Sequence, residues 1–169
     1  MPNKSSSILL GVAAYAVASL ITGFIAINSG QTGQYLVGVL CCLFALLGPA
    51  VTVWHYTSTH RVTIPPGTGA GLGAITVAAG GAISYGITKL LQMVNVYPSD
   101  AEMMERQRQQ LVAQGLEPEA IEQAMQMGEM FSGVGGAMIN IVMLAVVGAI
   151  AGAIAASVFK KGPVDEVAF

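Results

Sequence analysis

Four stretches of this chain run for about twenty residues or more with almost no charge, and a fifth, between the last two, is the reverse. The apolar stretches cover about residues 7–28, 34–56, 68–96 and 133–159. A helix rises about 1.5 Å per residue, so roughly 20 residues cross a bilayer core about 30 Å thick. The pattern therefore predicts four transmembrane helices. The first is too long for the core of a cleaved signal peptide, and no convincing small-residue cleavage site follows it, so it is expected to remain as an anchor. Pro49 falls inside the second, where it removes a backbone donor and predicts a bend.

The charged stretch, YPSDAEMMERQRQQLVAQGLEPEAIEQAMQMGEMF at residues 97–131, holds seven of the nine acidic residues and two of the seven basic ones. Ser99-Asp100-Ala101-Glu102 has the spacing of a capping box, which predicts a helix over 100–114. Gly115 is a natural left-handed stop, and Leu116-Glu117-Pro118-Glu119 restarts a helix that reaches about Phe131. The glycines of SGVGG then predict a bend before the last apolar stretch. The expected fold is all-α: a single four-helix membrane domain over 1–169, carrying an outer helical hairpin at about 99–131. Charge gathers in the hairpin because water solvates it there, whereas at the bilayer centre each charge costs roughly 2.5–3.5 kcal/mol on insertion scales.

Composition agrees. Hydrophobic residues make up 54% and charged residues 9%, with a mean hydropathy of +0.67, against about 25% charged in soluble domains. A net charge of −2 and the lack of a basic patch argue against a nucleic-acid partner. Lys4, Arg61, Lys160 and Lys161 flank the apolar stretches on one side, with His55 and His60. The other side has only Arg106 and Arg108, inside the acidic hairpin. The positive-inside rule then predicts cytoplasmic termini and an extracytoplasmic hairpin. Trp54, Tyr56 and Phe159 at one level, and Tyr35, Tyr97 and Phe131 at the other, fit two aromatic belts.

Lys89 and Asn140 fall at similar depth near the outer surface. Lys89 either snorkels to headgroups or joins Asn140, Ser84 and Thr88, with Asn95 near, in a polar pocket. No Asp or Glu falls within the four stretches, which argues against proton-coupled transport. PPGTGAGLGA lacks the Gly-Lys-Ser/Thr ending of a phosphate loop; Gly69 and Gly73, like Gly148 and Gly152, instead form GxxxG pairs suited to close helix packing. In the hairpin, Ile121, Met125 and Phe131 recur with Ala124 and Gly128 at helical spacing, and Met127 and Met130 widen the arc. These residues can pack the hairpin on itself or dock a partner. Methionines are soft ligands suited to Cu(I), but Met125 and Met127 point roughly 200° apart on one helix. Cys41 and Cys42, adjacent in an apolar run, are expected to pack rather than bridge. No Ser-His-Asp order, HExxH motif or carboxylate pair can be assembled on one membrane face; Ser132, Asp165 and Glu166 lie on different levels or sides.

The four-span layout and the segment EMMERQRQQLVAQGLEPEAIEQAMQM resemble a family of uncharacterised bacterial inner-membrane proteins with a Met-, Glu- and Gln-rich insert between spans three and four. That resemblance implies a bacterial cytoplasmic membrane and carries over no catalytic residue. The expected function is non-enzymatic and cofactor-free: a scaffold or accessory subunit whose hairpin docks a membrane protein partner, in a bilayer and without nucleic acid. The alternatives are a small transporter or channel, alone or as a homo-oligomer, and extracytoplasmic soft-metal handling.

Overall fold

The computed structural model describes residues 4–28, 31–130 and 133–163, apart from the side chains of 28, 31–39, 41, 42, 44, 130 and 133. Six helices make up its regular structure: α1 (Ser5–Asn28), α2 (Gln31–His60), α3 (Pro66–Met93), α4 (Asp100–Ala113), α5 (Pro118–Met130) and α6 (Gly133–Val158). Ser5–Ile27, Pro66–Met93 and Val134–Val158 are long and apolar enough to cross a membrane, and they mark the chain as a membrane protein.

Local chemistry sets the helix ends. Pro66 opens α3, where its missing N–H has no helical partner to lose. That helix ends three residues before the expected Val96, because Asn95 turns left-handed at φ 55° and the amides of Val96 and Tyr97 both return to the Leu91 carbonyl. At α2 the helix runs past Tyr56 to His60, and Arg61 at φ 52° ends it. The capping box forms as expected: Glu102 N–H donates to Ser99 Oγ and Ser99 N–H to Glu102 Oε2. Gln114 caps α4, Gly115 turns left-handed at φ 74°, and α5 begins on Pro118.

The chain forms two compact units, Met1–Ser84 with Ile141–Phe169, and Tyr85–Asn140. The second reaches beyond the charged insert to take in the end of α3 and the start of α6.

In the first unit, Val53, Tyr56, Ile64, Leu72, Ala155 and Ala156 form one buried cluster, with Ile8, Val62 and Phe159 against it. The start of α1, the end of α2, the start of α3 and the end of α6 therefore meet at one end. Thr63 ties this end together, its N–H donating to the Pro163 carbonyl and its Oγ1 to that of Gly162. The radial pattern inverts that of a water-soluble bundle. Leu9, Phe24, Val146, Ile150 and Ile154 face outward, while many of the buried residues are Gly, Ala, Ser and Thr, packed beside Val53, Tyr56, Leu72 and Val77. Such a surface suits lipid, where close backbone approach rather than apolar burial holds helices together.

That approach is tightest between α3 and α6. A Cβ added at Gly73 would overlap the Gly148 carbonyl, and one at Gly69 would stand 2.5 Å from that of Gly152. All four glycines of the two GxxxG pairs thus lie in one helix crossing. A second contact was not legible in the sequence: Tyr15 of α1 lies over Gly48 of α2 and Gly80 of α3, where added Cβ atoms would stand 2.8 and 2.6 Å from its side chain.

Candidate functional site

Tyr85, Lys89 and Gln92 share one face of α3 at i, i+4 and i+7. Asp100, in the first turn of α4, meets that face. Lys89 Nζ donates to its Oδ2 at 2.5 Å, and Gln92 Nε2 donates to Oδ1 at 2.9 Å and to the Pro98 carbonyl at 3.0 Å. The Lys89 ammonium also lies 5.6 Å from the Tyr85 ring centroid. These bonds from Lys89 and then Gln92 hold the Asp100 carboxyl below its ordinary range, while burial pushes the Tyr97 phenol up. The Lys89 charge is thus matched by a carboxylate that also complements the α4 dipole. Of the residues expected to gather around Lys89, Thr88 is half-buried and Asn140 is exposed. Ser84 belongs to the other unit, where its Oγ is buried with no partner. Asn95 forms the turn after α3. The partner of Lys89 is Asp100, eleven residues on and beyond the turn after α3, where no helical spacing relates the two.

The hairpin places α5 against α4. Ile121 is buried between them, and Met125 is half-buried. A groove of about 620 Å³ opens between the helices, lined by Val112, Leu116, Pro118, Ile121 and Met125, with Arg108 and Glu122 at its edge. Val112 and Leu116 remain exposed, and Met127 is 64% exposed on α5. The side chain of Met130, and Phe131, lie outside the described residues. An apolar groove with both signs of charge beside it can hold an apolar segment of another chain. On the first hairpin helix the sequence shows only a thin stripe of Met104, Gln107 or Arg108, and Leu111, which leaves out Val112 and Leu116; these line the groove once Gly115 has turned the chain.

In the first unit, Ser7 Oγ lies 2.9 Å from His55 Nδ1, and the rings of Tyr56 and His60 meet edge to face at 4.9 Å. A serine beside an imidazole suggests a nucleophile and its base. Ser7, however, is fully buried, and the described residues of this unit include no Asp or Glu to orient the ring. The contact joins α1 to α2. Thr52 of α2 and Thr76 of α3, also fully buried, join their helices through hydroxyls 2.9 Å apart. Among the described residues no three of His, Cys, Asp and Glu converge on a point that could hold a metal ion.

Comparison with protein-family models, with curated proteins and with solved structures finds no match to this chain.

Proposed function

We propose that this chain is a non-enzymatic, four-span membrane protein that serves as a scaffold or accessory subunit and docks a partner through its α4–α5 hairpin. The observation that carries the reading is the hairpin groove, where Val112 and Leu116 stay exposed on a segment otherwise rich in charge. A hairpin needed only to connect two spans gains nothing from exposed apolar side chains in water.

Parity supports the fourth span. Helix α1 begins and α6 ends at one end of their unit, as do the end of α2 and the start of α3. A chain that crosses with α1, α3 and α6 can keep that arrangement only if α2 crosses as well. Its 30 residues carry no Asp, Glu, Lys or Arg. The same end gathers Lys4, Arg61, Lys160 and Lys161, so the positive-inside rule favours cytoplasmic termini and an outer hairpin. A bacterial cytoplasmic membrane is proposed on the insert's resemblance, read from its residues alone, to bacterial inner-membrane proteins. A channel has less support, because the hydroxyls of Thr52 and Thr76 bond each other and helix carbonyls rather than facing open space.

The test is native purification of the tagged full chain beside Val112→Asp/Leu116→Asp. The docking reading expects a stoichiometric membrane partner with the wild type, lost with the variant while its helical content and thermal midpoint hold. The same partner bound equally by both proteins, or a wild-type chain that purifies alone, overturns it.

A further inference from the structure

A second groove, of about 460 Å³, lies in the first unit and has the opposite character. Leu43, Leu46, Leu47, Ala50 and Trp54 of α2 line it, with Phe159 just past α6. No charged side chain takes part. From Leu43 to Trp54 the groove follows eleven residue rises of helix, roughly 16 Å at the rise of an α-helix. That matches about half of a 30 Å hydrocarbon core, the depth of one leaflet.

Charge collects at one end of this groove. Lys160 and Lys161 follow Phe159 directly and are exposed. A Cβ on Gly162 would overlap the Arg61 carbonyl, so Arg61 sits at the same end. Lys4 precedes the turn in which Ser7 meets His55. The described residues of this unit contain four cationic side chains and no Asp or Glu. Cations gathered at the mouth of a leaflet-deep apolar groove, with no carboxylate among the described residues of this unit, complement an anionic amphiphile with a negative head above its chain.

We propose that this end of the protein binds an anionic phospholipid, with one acyl chain along Leu43, Leu47 and Trp54 and the phosphate on Lys160 and Lys161. A zwitterionic lipid fits the groove equally well but brings its own cation to a rim that already repels it. The site rests on the membrane assignment and is independent of docking by the hairpin.

Trp54 is the single tryptophan of the chain and is 47% exposed in the groove, so its fluorescence reports the occupant. The full chain is placed in phosphatidylcholine bilayers containing a small fraction of dibrominated phosphatidylglycerol or dibrominated phosphatidylcholine. The anionic quencher is expected to act at a mole fraction more than about tenfold lower. Lys160→Gln/Lys161→Gln should abolish that preference, each lysine contributing about fivefold in association at about 1 kcal/mol per cation near an anionic surface. Moving the reporter with Trp54→Phe/Phe24→Trp, to an exposed position on α1 sixteen residues beyond Ile8, should remove it as well. Equal quenching of Trp54 by the two lipids overturns the proposal. So does a preference that survives loss of the lysines, or one equally strong at residue 24, which would be attraction to the whole surface. Val112→Asp/Leu116→Asp should leave the lipid preference intact, which keeps this result separate from the docking test.

Discussion

Thr52 and Thr76 have two hydroxyl hydrogens between them and three close oxygen contacts. The 2.7 Å bond from Thr76 to the Leu72 carbonyl takes one hydrogen; Thr52 then donates to Thr76 at 2.9 Å, and its 3.1 Å contact with the Gly48 carbonyl is the weakest. Such interhelical bonds in membranes average about 0.6 kcal/mol and reach about 1.7, so this one holds register more than it supplies stability. Lys89 and Asp100 are held by a different balance. Their side chains are 32% and 45% exposed, so the pair contributes at most about 1 kcal/mol after screening. The folded Asp100 carboxyl lies below its unfolded value. Its contribution is therefore complete above the ordinary carboxylate range, and it is lost as pH falls below about 4 through the folded pKa. Asp100→Asn should accordingly weaken amide protection in the first turn of α4 at pH 7, with the gap from wild type closing below about pH 4. A gap of the same size in acid would show that the pair is not the cause.

Helix α6 is apolar on every side, so no amphipathic stripe marks its inner face. Residue size marks it instead: Gly148, Ala151, Gly152, Ala155 and Ala156 are buried, while Val142, Val146, Ile150 and Ile154 face outward. A methyl at Gly73 or Gly152 meets the opposing backbone, which cannot rotate away as a side chain does. Gly73→Ala and Gly152→Ala should each destabilise the bundle by about 1–3 kcal/mol, the usual cost of overpacking, read from unfolding in mixed micelles. Gly71 is the internal control, since nothing stands within 4 Å of its added Cβ. Gly71→Ala should be neutral or stabilising by up to about 1 kcal/mol, because alanine is the better helix former. Equal losses at all three positions would show that the close crossing is not the cause.

For the whole molecule, parity is the stronger constraint. Ile8 and Phe159 pack on one cluster, so α1 starts and α6 finishes at the same end of their unit. Reporters fused to the N- and C-termini should report the same compartment, and one inserted at Gly115, in the left-handed turn between α4 and α5, the opposite one. Termini on opposite sides would exclude α2 as a span.

The elements and most of their ends were legible because their signals are local. Apolar length marks α1, α3 and α6, Ser99 and Glu102 cap α4 across one turn, and Gly115 and Pro118 divide the hairpin. The GxxxG pairs named the faces of α3 and α6 that approach closely, because spacing of four is itself local. Tertiary structure alone decided the partners: Asp100 for Lys89, Thr76 for Thr52, Gly48 and Gly80 for Tyr15, and Val112 with Leu116 beside Met125. Those pairings depend on where helices cross and how a turn aims the chain. In helices apolar on every side, no periodicity in the sequence records either.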